Sequence, residues 1–147
     1  MAGFVFKLES FLSIKEKLEE KAKTDYGKAI SKLEQEKSIL EQLENKKLQT
    51  IKDFKSSIQT NIMPNQIKNL NEFIILIDKK IENQNQVIQK AYEFSEEKRK
   101  ELINSMKDRK IFEALKEKEK EAYMKDILQK EQKLVDEIVS YKYNKGN

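Results

Sequence analysis

The sequence predicts an all-α protein in which two long helices pair as an antiparallel coiled-coil hairpin. Charged residues make up 38% of the 147 residues and hydrophobic residues only 37%, which favours a narrow apolar stripe over a globular core. The chain holds three Gly and one Pro, and that Pro64 lies near its middle. Apolar residues recur at alternating steps of three and four, the spacing of a coiled coil.

The region around Pro64 divides the chain into the two predicted helices. Pro suits the first turn of a helix, and Asn61 is a plausible residue to end the helix before it. We therefore expect one domain over residues 1–147, with a helix over about 10–59, a turn over about 60–66 and a helix over about 64–143.

The second helix carries the clearer repeat, which is uninterrupted over eleven positions. Its members are Ile67, Leu70, Ile74, Ile77, Ile81, Gln84, Ile88, Ala91, Ser95, Lys98 and Leu102. The first helix has a looser stripe, namely Phe4, Leu8, Phe11, Leu18, Ala22, Tyr26, Ala29, Leu33, Leu40, Leu43, Leu48, Ile51, Phe54 and Ile58. A hairpin brings these two stripes together along nearly the whole first helix.

The position of the turn predicts which residues face each other. Facing residues should have numbers that add up to about 125, so that Leu48 faces Ile77. Residues beyond about 120 then lack a partner in the hairpin, although an apolar stripe continues there. This overhang either docks on another protein, or packs against the N-terminal segment 4–8, or is a frayed helix end.

Several classes of function are excluded by composition. The chain has no Cys and no His, so it offers no disulfide, no ordinary zinc site and no nucleophile paired with an imidazole base. It also has no glycine-rich phosphate loop, and its many carboxylates are expected on solvated helix faces. We therefore predict that the protein is not an enzyme and has no cofactor, no metal and no catalytic residue.

The basic charge does not indicate a nucleic-acid partner. Of the 30 basic residues only Arg99 and Arg109 are Arg, the residue that best reads base edges. The lysines alternate with glutamates along the chain and do not form one basic stripe. No signal peptide is recognisable, and the longest apolar run, residues 73–77, is too short to insert across a membrane. We expect a cytoplasmic protein.

That apolar run is a candidate docking site. In the repeat Ile74 and Ile77 face the other helix, whereas Phe73, Ile75 and Leu76 lie partly or wholly outside the contact. Exposed apolar area of this kind favours docking onto another protein, with a third helix or self-association as the alternative.

Two segments resemble the FliJ family of flagellar export proteins. Residues 4–22, FVFKLESFLSIKEKLEEKA, resemble the aromatic-rich opening of the family, which leads into a Glu/Lys-rich helix. Residues 67–74, IKNLNEFI, resemble the start of its second helix, and Leu76, Ile81 and residues 84–86 continue the likeness. The length, the central turn and the charged C-terminal helix agree as well.

The resemblance implies a non-enzymatic stalk or adaptor of flagellar type III protein export. Such a protein would bind the export ATPase ring, the export-gate membrane protein and the export chaperones, at the inner membrane of the flagellar base. The resemblance places the gate contact near the turn, at Phe73, Leu76 and Ile77. We expect the ATPase contact at the open end, at Phe4, Phe6, Phe11, Ile127, Leu134 and Ile138.

Two other functions remain open from the residues alone. A coiled-coil chaperone of the prefoldin type would carry apolar helix ends, and often strands between its helices, but no strand-like alternation surrounds Ile62. The second is a general coiled-coil scaffold, including a basic one of the nucleoid or membrane surface.

Overall fold

The computed structural model describes residues 3–58 and 61–146, which form two helices and no strand. Helix α1 spans Glu9–Ser57 and helix α2 spans Pro64–Lys145. The two helices pack against each other, so the predicted all-α hairpin is confirmed. The expected helix end at Gln59 and the expected start of the turn at Thr60 lie outside the described residues, as do Met1, Ala2 and Asn147.

Local chemistry explains the ends of α1. The acidic Glu9 in its first turn complements the positive end of the helix dipole, and its amide donates to the carbonyl of Phe6 at 3.1 Å. At the other end, the Ser57 hydroxyl donates to the carbonyl of Phe54 at 2.8 Å. The expectation that Asn61 ends this helix is wrong, because the last turn already closes at Ser57 and Lys55 supplies the favourable positive charge there.

Helix α2 begins at Pro64, as its fixed φ and missing amide predict. The Gln66 side chain accepts from the amide of Met63 at 3.2 Å, and the Gln66 amide donates to the Met63 carbonyl at 3.0 Å. Gln66 thus supplies one half of a capping box to the amide of Met63 at the N-cap position, while its own amide bonds to the Met63 main chain. At the far end, Lys142 and Lys145 lie in the last turn, where positive charge is favoured.

The contacts divide the chain into two compact units, and both helices contribute to each. The turn unit is Lys21–Leu102, and the terminal unit is Met1–Glu20 with Ile103–Asn147. Within the turn unit, polar contacts join Lys47 to Asp78 and Glu36 to Gln84. Within the terminal unit, contacts join Glu9 to Lys116, Phe11 to Phe112 and Lys15 to Asp108. The residue numbers of these pairs add up to about 125, so the expected antiparallel register is confirmed.

The line of contact between the helices, here called the seam, differs in part from the predicted stripe of α1. Leu48 is 58% exposed and does not face the buried Ile77 as expected. Leu18 is also largely exposed, and Phe11 stacks on Phe112 only at the border of the seam, with 54% of the residue exposed. The seam instead contains Leu12 and Lys47. The reason is geometric: the inward positions keep steps of three and four through polar residues, as in the series Leu33, Glu36, Leu40, Leu43 and Lys47.

The predicted overhang is shorter than expected. The Phe4 ring lies 5.6 Å from the Tyr123 ring, so the N-terminal segment packs against α2 just beyond residue 120. This contact favours the N-terminal alternative for the start of the overhang. From Leu128 to Gly146 every described residue is exposed, and this part of α2 is called the C-terminal arm.

Candidate partner-binding surfaces

The turn unit presents an apolar groove between the two helices. Its volume is about 480 Å³, and Phe54 of α1 and Leu70 and Phe73 of α2 supply its apolar walls. Thr50, Asp53, Ser57, Gln66 and Asn69 complete the lining. Phe73 is half-buried, so one side of its ring helps to pack the hairpin while the groove remains open beside it. This is a shape that can accept an apolar side chain of a partner.

Leu76 and Ile75 extend the apolar surface of the turn unit. Leu76 is 54% exposed and Ile75 is 70% exposed, as their positions outside the repeat predict. Together with Phe73 they form what we call the turn surface. So much apolar area on a helix surface is typical of a contact site.

Ile77, the third residue expected at the gate contact, lies in the seam. Its exposed fraction is 2%, which agrees with its position in the heptad repeat. The next residue, Asp78, accepts from the Lys47 ammonium at 2.6 Å across the hairpin. Leu76 is therefore accessible at the surface, while Ile77 packs α2 against α1 beneath it.

In the terminal unit, the three N-terminal aromatic residues have different surroundings. Phe6 is buried, and Phe4 is half-buried beside Tyr123. The Phe11 ring is 54% exposed and stacks on Phe112 at a centroid distance of 6.4 Å. Of the three, Phe11 offers the most surface to a partner, whereas Phe6 is a core residue of the unit.

The C-terminal arm holds two of the other expected contact residues. Leu134 and Ile138 are both exposed, whereas Ile127 is half-buried just before the arm. The arm also exposes Leu128, Val135, Val139 and Tyr141. Because these residues recur at helical spacing, they form an apolar stripe with no partner among the described residues.

Sequence reasoning missed a set of polar side chains in the seam. Glu19 and Arg109 form an ion pair across the terminal unit, and Arg109 also pairs with Glu113 at 2.7 Å. The hydrogen bond that Arg109 donates to Glu113, followed by the one that it donates to Glu19, raises the pKa of Arg109 above its ordinary value. Glu113 is exposed, as expected, whereas the Glu19 carboxylate was expected on a solvated face and is buried. The three-and-four spacing, continued through polar positions, would have located Glu19.

A second polar layer lies in the turn unit. The Gln84 amide donates to the Glu36 carboxylate at 2.6 Å and to the Glu36 carbonyl at 2.9 Å. Lys32 approaches the same carboxylate at 2.7 Å. The hydrogen bonds from Lys32 and then Gln84 hold the pKa of Glu36 below its ordinary value of 4.5, against the opposing effect of burial. Polar layers of this kind fix the register of a coiled coil.

The described residues present exposed surfaces that can bind partners. In residues 3–58 and 61–146, no group of three or more Asp or Glu side chains is placed to hold a metal ion. No helix in that part of the chain is both long and apolar enough to cross a membrane. What the two units present instead is exposed apolar area, at the turn surface and along the C-terminal arm.

Comparison with known protein families gives a match that extends over almost the whole chain. The model of the family described as "Flagellar FliJ protein" matches residues 4–147. No curated protein and no solved structure matches the chain at a significant level. Because the family match takes in both helices and the turn between them, the chain belongs to the flagellar FliJ protein family.

Proposed function

We propose that this protein is a non-enzymatic stalk or adaptor that links the flagellar export ATPase ring to the export gate and to export chaperones. Membership of the FliJ family itself implies a role related to flagellar export. The observation that supports the adaptor role most directly is the presence of separate exposed apolar surfaces, one in the turn unit and one in the terminal unit. We place the protein in the cytoplasm, at the inner face of the membrane beneath the flagellum.

The turn surface is the proposed contact for the export-gate membrane protein. Leu76 and Ile75 supply exposed apolar area, and Phe73 borders a groove beside them. A partner side chain in that groove would also contact Phe54 of α1, so the site would depend on the paired hairpin.

The terminal unit is the proposed contact for the ATPase ring. The C-terminal arm has an apolar stripe that includes Leu134 and Ile138, and Phe11 exposes half of its ring in the same unit. An amphipathic helix of this type binds by laying its apolar face into a groove of the partner. Ile127, Phe4 and Phe6 would support the contact by holding the base of the arm.

Export chaperones are proposed as further partners, and the turn surface or the arm could receive them. The prefoldin-type alternative has less support, because the described residues contain no strand between the helices. A general scaffold would not require two exposed apolar surfaces on such a polar chain, because exposed apolar area of this kind marks specific contact sites.

The decisive experiment is a titration of the purified protein into the export ATPase of the same organism. We expect ring assembly and ATP hydrolysis to rise with added protein. The variant Leu134→Ser/Ile138→Ser should lose most of this effect, because it removes the centre of the apolar stripe. The matched control Leu76→Ser, which alters an equally exposed residue of the turn unit, should keep it.

The same two variants test the gate contact, with Leu76→Ser now as the test variant and the arm variant as the control. In a binding assay with the cytoplasmic part of the gate protein, Leu76→Ser should weaken binding at least about tenfold, whereas the arm variant should bind normally. If the unaltered protein neither binds the ATPase nor changes its assembly or rate, the stalk proposal is wrong. If Leu76→Ser binds the gate normally, the turn surface is not its contact.

A further inference from the structure

The positive charge of the chain is concentrated on either side of the turn. Residues 45–80 hold seven Lys and three Asp or Glu, a net charge of +4, which equals the net charge of the whole chain. The remaining residues are therefore balanced. Within this segment, residues 54–71 form the longest stretch of the sequence without an acidic residue. Lys55 and Lys68 lie within that stretch, one on each side of the turn.

The lysines near the turn lack acidic partners within the structure. Lys52, Lys55 and Lys68 are exposed, and none of them forms an ion pair with a described acidic residue. Asp53, the nearest acidic residue in the sequence to Lys52 and Lys55, accepts from Gln49 at 2.9 Å. At a rise of 1.5 Å per residue, the three lysines lie within about 9 Å of the helix ends, which is about one Debye length at physiological salt. Their charges therefore act on the same approaching surface.

Apolar side chains are exposed at the same end. Ile62 is 53% exposed and Met63 is 65% exposed, in the segment that precedes α2, and Ile67 in the first turn of α2 is 44% exposed. None of these residues lines the groove beside Phe73, and neither do the three lysines. We call this set of six residues the turn tip. Its apolar side chains lie outside the groove that Phe54, Leu70 and Phe73 line.

We propose that the turn tip is a docking surface for a bilayer that contains anionic phospholipids. A lipid surface fits both features, because the lysine ammonium groups meet phosphate headgroups while Ile62 and Met63 enter the headgroup region. The contact reaches headgroup depth and does not cross the membrane. An acidic protein segment would satisfy the charge, but charge alone would not account for the exposed apolar side chains of Ile62 and Met63.

The lipid contact does not depend on the export role proposed above. It uses the turn tip, whereas the gate contact uses the turn surface around Phe73 and Leu76. Three lysines and a few apolar side chains give weak and reversible membrane attachment. The attachment should accordingly be sensitive to salt.

The test is sedimentation of the full chain with vesicles. The vesicles are phosphatidylcholine containing about one third phosphatidylglycerol, with pure phosphatidylcholine as the comparison. We expect partition into the anionic vesicles at low salt and little into the neutral ones. Lys55→Gln/Lys68→Gln should weaken partition into the anionic vesicles about 25-fold, since each lysine near the surface strengthens partition about fivefold. Ile62→Ser/Met63→Ser should weaken it about tenfold.

The matched control is Lys28→Gln/Lys90→Gln, which removes two exposed lysines of the same unit far from the turn. It should change partition by less than about twofold, because those charges lie beyond a Debye length from the tip. The far-ultraviolet circular dichroism of every variant should match that of the unaltered protein, since the substituted residues are exposed.

A spectroscopic reporter gives an independent measurement. The chain contains no Trp, so Ile62→Trp places a single indole at the turn tip. Its emission should shift to the blue with anionic vesicles and stay unchanged with neutral ones. The proposal is overturned if the protein does not partition into anionic vesicles and the indole emission does not shift. This holds even if the turn tip binds an acidic peptide. The proposal is also overturned if the control pair weakens partition as much as the tip pair.

Discussion

At the residue scale, two adjacent side chains of α2 differ sharply in burial. Leu76 is largely exposed and Ile77 is buried, although both belong to one apolar run of five residues. The heptad repeat separates them, because one residue along a helix is a rotation of about 100°. Composition alone would treat them as equivalent.

We therefore expect Leu76→Ala and Ile77→Ala to differ in stability. Ile77→Ala leaves a cavity in the seam and should lower the free energy of unfolding by about 2–4 kcal/mol. Leu76→Ala should lower it by less than about 0.5 kcal/mol, because its side chain lies mainly in solvent. Urea denaturation followed by circular dichroism measures both. Equal losses would contradict the assignment of Ile77 to the seam.

The Glu36 layer predicts a dependence on pH. The pKa of this carboxyl is lowered in the folded protein, so its charged form stabilises the fold. That stability is fully present above the ordinary value of 4.5 and is lost as the pH falls through the lower folded value.

The variant Glu36→Gln should be less stable than the unaltered protein at pH 7. The difference should shrink in acid below about pH 4.5, because the unaltered protein then loses the same charge. Thermal melting over pH 3–7 measures the effect. Glu34→Gln, which removes an exposed carboxylate of the same helix, corrects for the change in net charge. If the stability difference between the two proteins stays constant down to pH 3, the Glu36 charge is not the cause of that difference.

At the scale of the helices, polar side chains contribute to the contact between α1 and α2. Lys47 with Asp78 and Glu36 with Gln84 join α1 to α2 in the turn unit, while Glu19 with Arg109 joins them in the terminal unit. A buried polar layer stabilises less than an apolar one, but it penalises a shifted register, in which its groups would lose their partners. We infer that the pairs of the buried Glu36 and Glu19, with Gln84 and Arg109, select one alignment for a seam that contains few large apolar residues.

A thiol cross-linking experiment checks that alignment. Lys47→Cys/Asp78→Cys should be joined within one chain by a short bifunctional reagent, because the two side chains meet across the hairpin. Gln49→Cys/Asp78→Cys is the matched control, in which the first position is exposed and lies on the other side of α1. The register would be contradicted if the control pair cross-linked efficiently, or if the Lys47→Cys/Asp78→Cys pair did not cross-link.

At the scale of the whole molecule, burial is uneven. The buried seam positions of the turn unit include Ala29, Leu33 and Glu36 of α1 and Ile77 and Ser95 of α2. The C-terminal arm has no buried residue among those described. Its helix is held by backbone hydrogen bonds and by local side-chain contacts, such as the bond that Gln132 donates to Asp136 at 3.0 Å. A helix without tertiary packing is only marginally stable in water.

Amide hydrogen exchange should follow this distribution. We expect the slowest exchange in the segments around residues 29–36 and 84–95, and the fastest along residues 128–146. Mass spectrometry of peptides from the exchanged protein resolves these segments. Binding of the ATPase should slow exchange in the arm if the proposed contact is correct. Protection of the free arm equal to that of the seam would instead indicate self-association.

The sequence alone was sufficient for the fold class, the antiparallel register and the family resemblance. These follow from Pro64, from the scarcity of other turn-forming residues and from the spacing in α2, all of which are local or periodic signals. The resemblance at residues 4–22 and 67–74 agrees with the family match over residues 4–147. The expected contact residues remain predictions.

Only the tertiary structure decided which side chains occupy the seam of α1. A search for apolar residues selects Phe11, Leu18 and Leu48, whereas the paired helices bury Leu12, Glu19 and Glu36. The physical reason is that an ion or an amide becomes acceptable at an inward position once the partner helix supplies its hydrogen bonds. Arg109 and Gln84 do so here from about 90 and 48 residues away along the chain, a distance that no local pattern records.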